Sequence, residues 1–145
     1  RAAVLERVEQ AARFGPEATV EAALERWFTP DFAARRPDVL DRVRGWITAN
    51  DPRIYPEIYR LMAEGDAALA RPIAAIGCPT LVLTCEDDLG NNPAMARRMA
   101  ALIPGARVEI IPGLRHMGLA EDPEAISSVL VPFLEESLCH LAEEQ

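Results

Sequence analysis

The chain has 145 residues and a mass of 15.9 kDa, the size of one ordinary domain or of a small helical piece joined to a small α/β piece. Half of its residues are apolar, 26% are charged and the mean hydropathy is zero, which excludes a disordered tail and a fibrous repeat. A net charge of −8 and a pI near 4.8 argue against a phosphate-tracking surface, so neither nucleic acid nor an anionic membrane is expected as a partner.

Up to about Leu69 the pattern is helical, with stops supplied by proline and glycine. Val4, Leu5, Val8 and Ala12 share one helical face, and Phe14-Gly15-Pro16 ends that helix. Val20, Ala23, Leu24, Trp27 and Phe28 predict a second amphipathic helix that stops at Thr29-Pro30. A third carries Val39, Leu40, Val43, Trp46 and Ile47, with Pro37 at its first position and Asn50-Asp51-Pro52 beyond its end. Ile58, Leu61 and Met62 mark a fourth, expected to follow Pro56 and to close at Gly65.

From Arg71 onward strand and helix alternate. Thr80 to Thr84 is a short β-rich apolar run of the kind buried on both faces of a parallel sheet. Asn92-Pro93 opens a helix with Met95, Met99, Leu102 and Ile103 on one face, ending at Pro104-Gly105. Arg107 to Ile111 is the next strand, stopped by Pro112-Gly113. Asp122-Pro123 then opens a last helix striped by Ile126, Val129, Leu130, Phe133, Leu134, Leu138 and Leu141, with Pro132 inside it at a cost of about 3 kcal/mol unless the helix kinks. Two strands do not make a self-supporting sheet, so a preceding stretch of chain or a second subunit is expected to complete it.

No apolar run approaches the ~20 residues of a membrane span, and no secretory signal opens the chain. Cys78, Cys85 and Cys139 form neither a CxxC pair nor an even disulfide set, which fits a reducing cytoplasm. No metal or cofactor is expected: a Mg²⁺ or phosphoryl site at Glu86, Asp87 and Asp88 would need further ligands and a lysine or phosphate loop, and the chain has no lysine. His140 falls in the acidic tail and reads as a surface residue.

Two loops follow directly on strands. Cys85-Glu86-Asp87-Asp88-Leu89 leaves the first strand at its carboxyl end, and Gly113-Leu114-Arg115-His116-Met117-Gly118 leaves the second at the same end, where open α/β sheets place their ligands. An acidic cluster alone usually marks a solvated loop, and a histidine between glycines usually marks a turn. On adjacent loops an acid and a histidine can instead form the orienting half of a catalytic triad.

The joint pattern resembles the C-terminal half of the α/β-hydrolase family. The segment from Cys78 to Asp88 is similar to the family segment that ends in the triad acid, and Ile103 to Met117 to the one that presents the triad histidine; with Glu121-Asp122-Pro123-Glu124 and Phe133-Leu134, the likeness covers residues 71–138. It implies an α/β fold in which residues 1–70 form a helical cap and residues 71–145 supply the last βαβα of the hydrolase sheet. It assigns Asp88 as triad acid, with Asp87 as its neighbouring candidate, and His116 as general base. The family pattern carries glycine where Cys85 stands.

Arg26-Trp27-Phe28-Thr29-Pro30-Asp31-Phe32 is similar to the cap of enol-lactonases of the β-ketoadipate pathway and of related esterases and lactonases. That likeness implies a small ester or lactone substrate; Trp27 and Phe28 in this segment and Met117, which adjoins His116, are candidate binding residues, with cap or core packing as the competing reading of each and the ordinary reading of Tyr55 and Tyr59. The family nucleophile lies on a G-x-S-x-G elbow, which this sequence lacks, and its only serines, Ser127, Ser128 and Ser137, fall in the last helix. In the family's chain order the nucleophile is therefore expected before Arg1, and these residues alone are expected to be inactive. The competing expectation is a non-catalytic assembly module that pairs through its open sheet edge.

Overall fold

The computed structural model describes residues 2–143, and within them the side chains of all but 66–71 and 140–143. The chain divides into two compact units, residues 1–72 and 73–145.

The first unit is helical. Helix α1 (Ala2–Phe14) is followed by a 3-10 turn (Pro16–Thr19), α2 (Val20–Trp27), α3 (Pro30–Arg35), α4 (Pro37–Thr48) and α5 (Tyr55–Ile73). Its core is built from Val8, Ala11, Val20, Ala23, Leu24 and Phe28, joined by Phe32, Val43 and Ile47. Thr29 Oγ1 accepts from Phe32 N at 3.3 Å, so the threonine expected to sit in a stop also caps the short helix α3, which the sequence pattern did not reveal.

Two expectations about this unit are corrected. Helix α5 does not close at Gly65 but continues to Ile73. A helical glycine weakens the helix by about 1 kcal/mol without ending it, and the alanine-rich stretch after it restores the propensity. The exposed faces also differ. Trp46 is 61% exposed, and Ile58, Leu61 and Met62 lie in solvent, whereas Val43 and Ile47, one turn apart, form the buried stripe of α4.

The second unit carries the sheet. Strands β1 (Leu81–Cys85) and β2 (Arg107–Ile111) pair in parallel, with Leu81 opposite Arg107 and Cys85 opposite Ile111. Helix α6 (Pro93–Leu102) forms the crossover, and α7 (Gly118–Glu121) and α8 (Pro123–Glu143) follow β2. Asn92 Oδ1 accepts from Met95 N at 3.1 Å and Asp122 Oδ1 from Ala125 N at 2.9 Å, so both helix starts are fixed by side-chain caps.

Strand alternation sorts the apolar residues onto two faces. Val82 and Val108 pack with Ala96, Ala100 and Ile103 under α6. Leu83, Cys85 and Ile111 pack with Ile126 and Val129 of α8. The small alanines of α6, not its methionines, approach the sheet, and Met95, Met99 and Leu102 point outward, which corrects the face read from the sequence. On α8, Leu130, Leu134 and Leu138 are exposed as well. The helix runs through Pro132, which lies on an exposed position. Leu141 and His140 lie outside the residues with described side chains.

Among the described residues the sheet has two strands, and no helix is long and apolar enough to cross a membrane.

Candidate active site

The parallel register brings the carboxyl ends of β1 and β2 level, so the loops leaving them run side by side. Backbone hydrogen bonds join them: Glu86 N donates to Ile111 O at 2.8 Å and Asp87 N to Leu114 O at 3.0 Å. Glu86 Oε2 accepts from Gly113 N at 3.2 Å. Gly113 has φ of +67°, a left-handed turn that favours glycine and redirects the chain after β2 toward His116.

Between these loops the Asp88 carboxylate meets the His116 ring, Oδ2 lying 2.8 Å from Nδ1. Asp88 is 6% exposed, and its other oxygen, Oδ1, accepts from Gly90 N at 2.7 Å and Asn91 N at 2.8 Å. Burial pushes this carboxyl up, but the hydrogen bonds from Asn91 N–H, His116 and Gly90 N–H outweigh it and hold Asp88 below the usual carboxylate range. Asp88 is therefore charged at neutral pH and fixed from both oxygens. With Nδ1 committed to this carboxylate, Nε2 is the ring nitrogen left to exchange a proton in any acid–base chemistry at this site. Of the two adjacent acids, Asp88 is the one placed against His116, whereas Asp87 is exposed and uses its backbone to hold the loops together.

Gly90 and Asn91, which escaped the sequence reading, supply donors that fix the acid. The signal was present: an aspartate two and three residues before backbone N–H groups in a Gly-Asn turn forms an Asx turn.

Cys85 ends β1 with an ordinary strand backbone, since all the positive φ values among the described residues belong to glycines. No glycine is required at that position. The thiol is buried, and burial pushes it up, with the charges of Asp88 and Glu121 acting in the same direction against a hydrogen bond from Gly118 N–H. It stays a neutral packing group rather than a thiolate. Gly118 is required for close approach, because a Cβ there would overlap Cys85 Sγ.

The other candidates are placed as follows. Met117 is half-buried and precedes α7. Phe28 is 1% exposed in the first unit, stacked on Phe32 with ring centroids 5.4 Å apart, and Trp27 beside it is half-buried. Ser128 Oγ donates to Ala125 O and Ser137 Oγ to Phe133 O, both within α8. Among the described residues no group of three His, Cys, Asp or Glu side chains is placed to hold a metal ion.

The sequence model of the alpha/beta hydrolase family matches residues 2–129. The chain belongs to that family. It is 31% identical over 135 residues to (E)-2-((N-methylformamido)methylene)succinate hydrolase of Acinetobacter baylyi, covering 93% of this chain and 50% of that protein. The structure is similar to the enol-lactonase of Burkholderia xenovorans, with a TM-score of 0.80 and 32% identity over 90% of this chain and 49% of that one. It is also similar to a thermophilic esterase from Thermogutta terrifontis, with a TM-score of 0.76 and 28% identity over 92% of this chain and 48% of that one. This member of the family thus spans about half the length of the relatives it matches.

Proposed function

We propose that this chain supplies the acid and the base of a serine hydrolase acting on small carboxylic esters or lactones. The observation that carries the reading is the contact of Asp88 Oδ2 with His116 Nδ1 at the ends of adjacent parallel strands. The hydrolase, enol-lactonase and esterase relatives support the reaction class.

In this mechanism a hydroxyl nucleophile from outside these residues attacks the substrate carbonyl while His116 Nε2 takes its proton. His116 then returns that proton to the departing oxygen as the C–O bond breaks. In the second half a water attacks the acyl carbonyl, its proton passing through His116 back to the nucleophile. Asp88 keeps Nδ1 protonated and stabilises the imidazolium formed in each half. No metal or cofactor enters these steps. Residues 1–70 have the part of the cap that selects the acyl or lactone group, with Trp27, Phe28 and Met117 as candidate binding residues, and a cytoplasmic location fits the cysteine pattern.

Loss of the nucleophile removes about six orders of magnitude in a triad enzyme, so residues 1–145 alone are inactive on this reading. The test is an ester and lactone panel on a protein that joins this chain to a strand, nucleophile elbow and helix N-terminal to it. Hydrolysis that disappears with His116→Ala supports the reading. Hydrolysis unaffected by that substitution overturns it.

A second reading, an assembly module, has one observation in its favour: β1 and β2 pair only with each other among the described residues, which leaves sheet edges for another chain. A discrete dimer of these residues in size-exclusion chromatography, with no hydrolysis by the joined protein, would favour it.

A further inference from the structure

The helical unit holds a polar cluster that the hydrolase reading does not use. Thr19, buried where the 3-10 turn meets α2, donates from Oγ1 to Pro16 O at 2.9 Å. Having used its proton there, the same oxygen accepts from Tyr55 OH at 3.2 Å, and Tyr55 OH in turn accepts from Tyr59 OH at 3.3 Å. The two rings meet edge to face, 5.1 Å between centroids. Each hydroxyl proton is thus committed inward along one chain.

Arg7 stands over the outer ring of this chain, and Arg26 lies near enough to interact electrostatically with Arg7, Tyr59 and Tyr55. The Arg7 guanidinium carbon lies 6.0 Å from the centre of the Tyr59 ring, at the limit of a cation–π contact. Its Nε is buried and has no hydrogen-bond partner among the described residues. Arg26 is half-buried, and burial pulls its pKa down, followed by the positive charge of Arg7; the phenols of Tyr59 and Tyr55 and the exposed Glu25 act against that pull. Neither arginine forms an ion pair among the described residues, in a molecule with a net charge of −8.

Two like charges sharing a partly desolvated site are unfavourable, and a buried donor without a partner is the kind of group that marks a missing ligand. An anion answers both. We propose that Arg7 and Arg26, backed by Tyr55 and Tyr59, form a binding site for the carboxylate of a small organic acid within the helical unit. A carboxylate suits the site because a planar guanidinium offers it paired, charge-assisted hydrogen bonds, and because the aromatic floor accepts the adjoining carbon chain. The anion site stands without the hydrolase reading; only the assignment of that carboxylate to the substrate rests on it.

The probe is succinate, titrated calorimetrically into the full chain at neutral pH and constant ionic strength. Saturable binding is expected, weakened about tenfold or more by Arg7→Met and by Arg26→Met, with Arg26→Lys between them and the unaltered protein. In parallel, the side-chain NMR signals of Arg7 Nε–H and the Tyr59 ring are expected to move with the same midpoint, which locates the anion with no substitution and so survives misfolding of a variant. Absence of saturable binding overturns the proposal. So does binding that leaves the Arg7 and Tyr59 signals in place, or that persists unchanged in both folded methionine variants.

Two arms in the catalytically complete protein separate the sources of the carboxylate. If Arg26→Met lowers kcat/KM for an ester bearing a free carboxylate but not for its neutral methyl ester, the anion belongs to the substrate. If both rates are unchanged while succinate binding is lost, the site takes a separate carboxylate effector.

Discussion

Asp88 Oδ2 and His116 Nδ1 lie 2.8 Å apart although 28 residues separate them in the chain. The distance follows from the parallel register, which levels the ends of β1 and β2, and from the hydrogen bonds that join the two loops. Because this contact orients the histidine, its loss should appear in turnover before it appears in binding. On the proposed function, in a protein that joins this chain to a nucleophile, Asp88→Asn should lower kcat by about 10⁴-fold with KM little changed, since the amide favours the wrong imidazole tautomer. Steady-state kinetics on one ester substrate checks this, and a variant that retains a tenth of the parental kcat would contradict the assigned role.

The same carboxylate predicts an acid limb in stability. Asp88 is held below its ordinary value of 3.8, so it binds fewer protons folded than unfolded. Its contribution is complete above the unfolded value and is lost as pH falls through the lower folded one. Stability should therefore decline from about pH 5 downward, and Asp88→Asn, which cannot titrate, should flatten part of that decline. Denaturant midpoints measured at intervals across this range provide the comparison. Equal slopes in parent and variant would mean that the acid limb comes from other carboxylates.

Gly118 offers a test of how tightly the histidine loop is seated. A methyl group there meets Cys85 Sγ, so Gly118→Ala should destabilise the chain by about 1–3 kcal/mol. Removing the sulfur should relieve the clash. The double variant Gly118→Ala, Cys85→Ala is expected to recover much of the loss attributed to Gly118→Ala, giving a coupling energy well outside additivity. Additive losses in thermal unfolding would place the strain elsewhere.

What was legible in the sequence was local. Asn92 and Asp122 announce their helices because a cap is made within three residues of itself, β1 stands out as an apolar run between Pro79 and an acidic loop, and β2 as a run between Pro104-Gly105 and Pro112-Gly113. Helix faces were less readable. Met95, Met99 and Leu102 look like the buried stripe of α6, yet the sheet selects Ala96 and Ala100, whose size allows close approach, and no periodicity within one helix carries that information. The division between Asp87 and Asp88 was likewise open until the turn through Gly90 and Asn91 enclosed one of them. Gly65 reads as a helix stop, yet one glycine only weakens a helix, and the alanines after it carry α5 on to Ile73.

Trp27 and Phe28 are neighbours in sequence with different surroundings, and they separate packing from recognition. Phe28 is 1% exposed and stacked on Phe32, so Phe28→Ala should open a cavity and destabilise the helical unit by about 3–5 kcal/mol. Any loss of activity in that variant should then follow the unfolded fraction and recover on cooling. Trp27 is half-buried, so Trp27→Ala should cost less stability than Phe28→Ala. If Trp27 contacts the substrate, its truncation should raise KM at temperatures where the variant is fully folded. Measuring the unfolding midpoint beside kcat and KM for both variants keeps the two effects apart: a Trp27→Ala protein with a parental KM makes the tryptophan a packing residue, and a stable Phe28→Ala protein with a raised KM moves Phe28 from core to binding site.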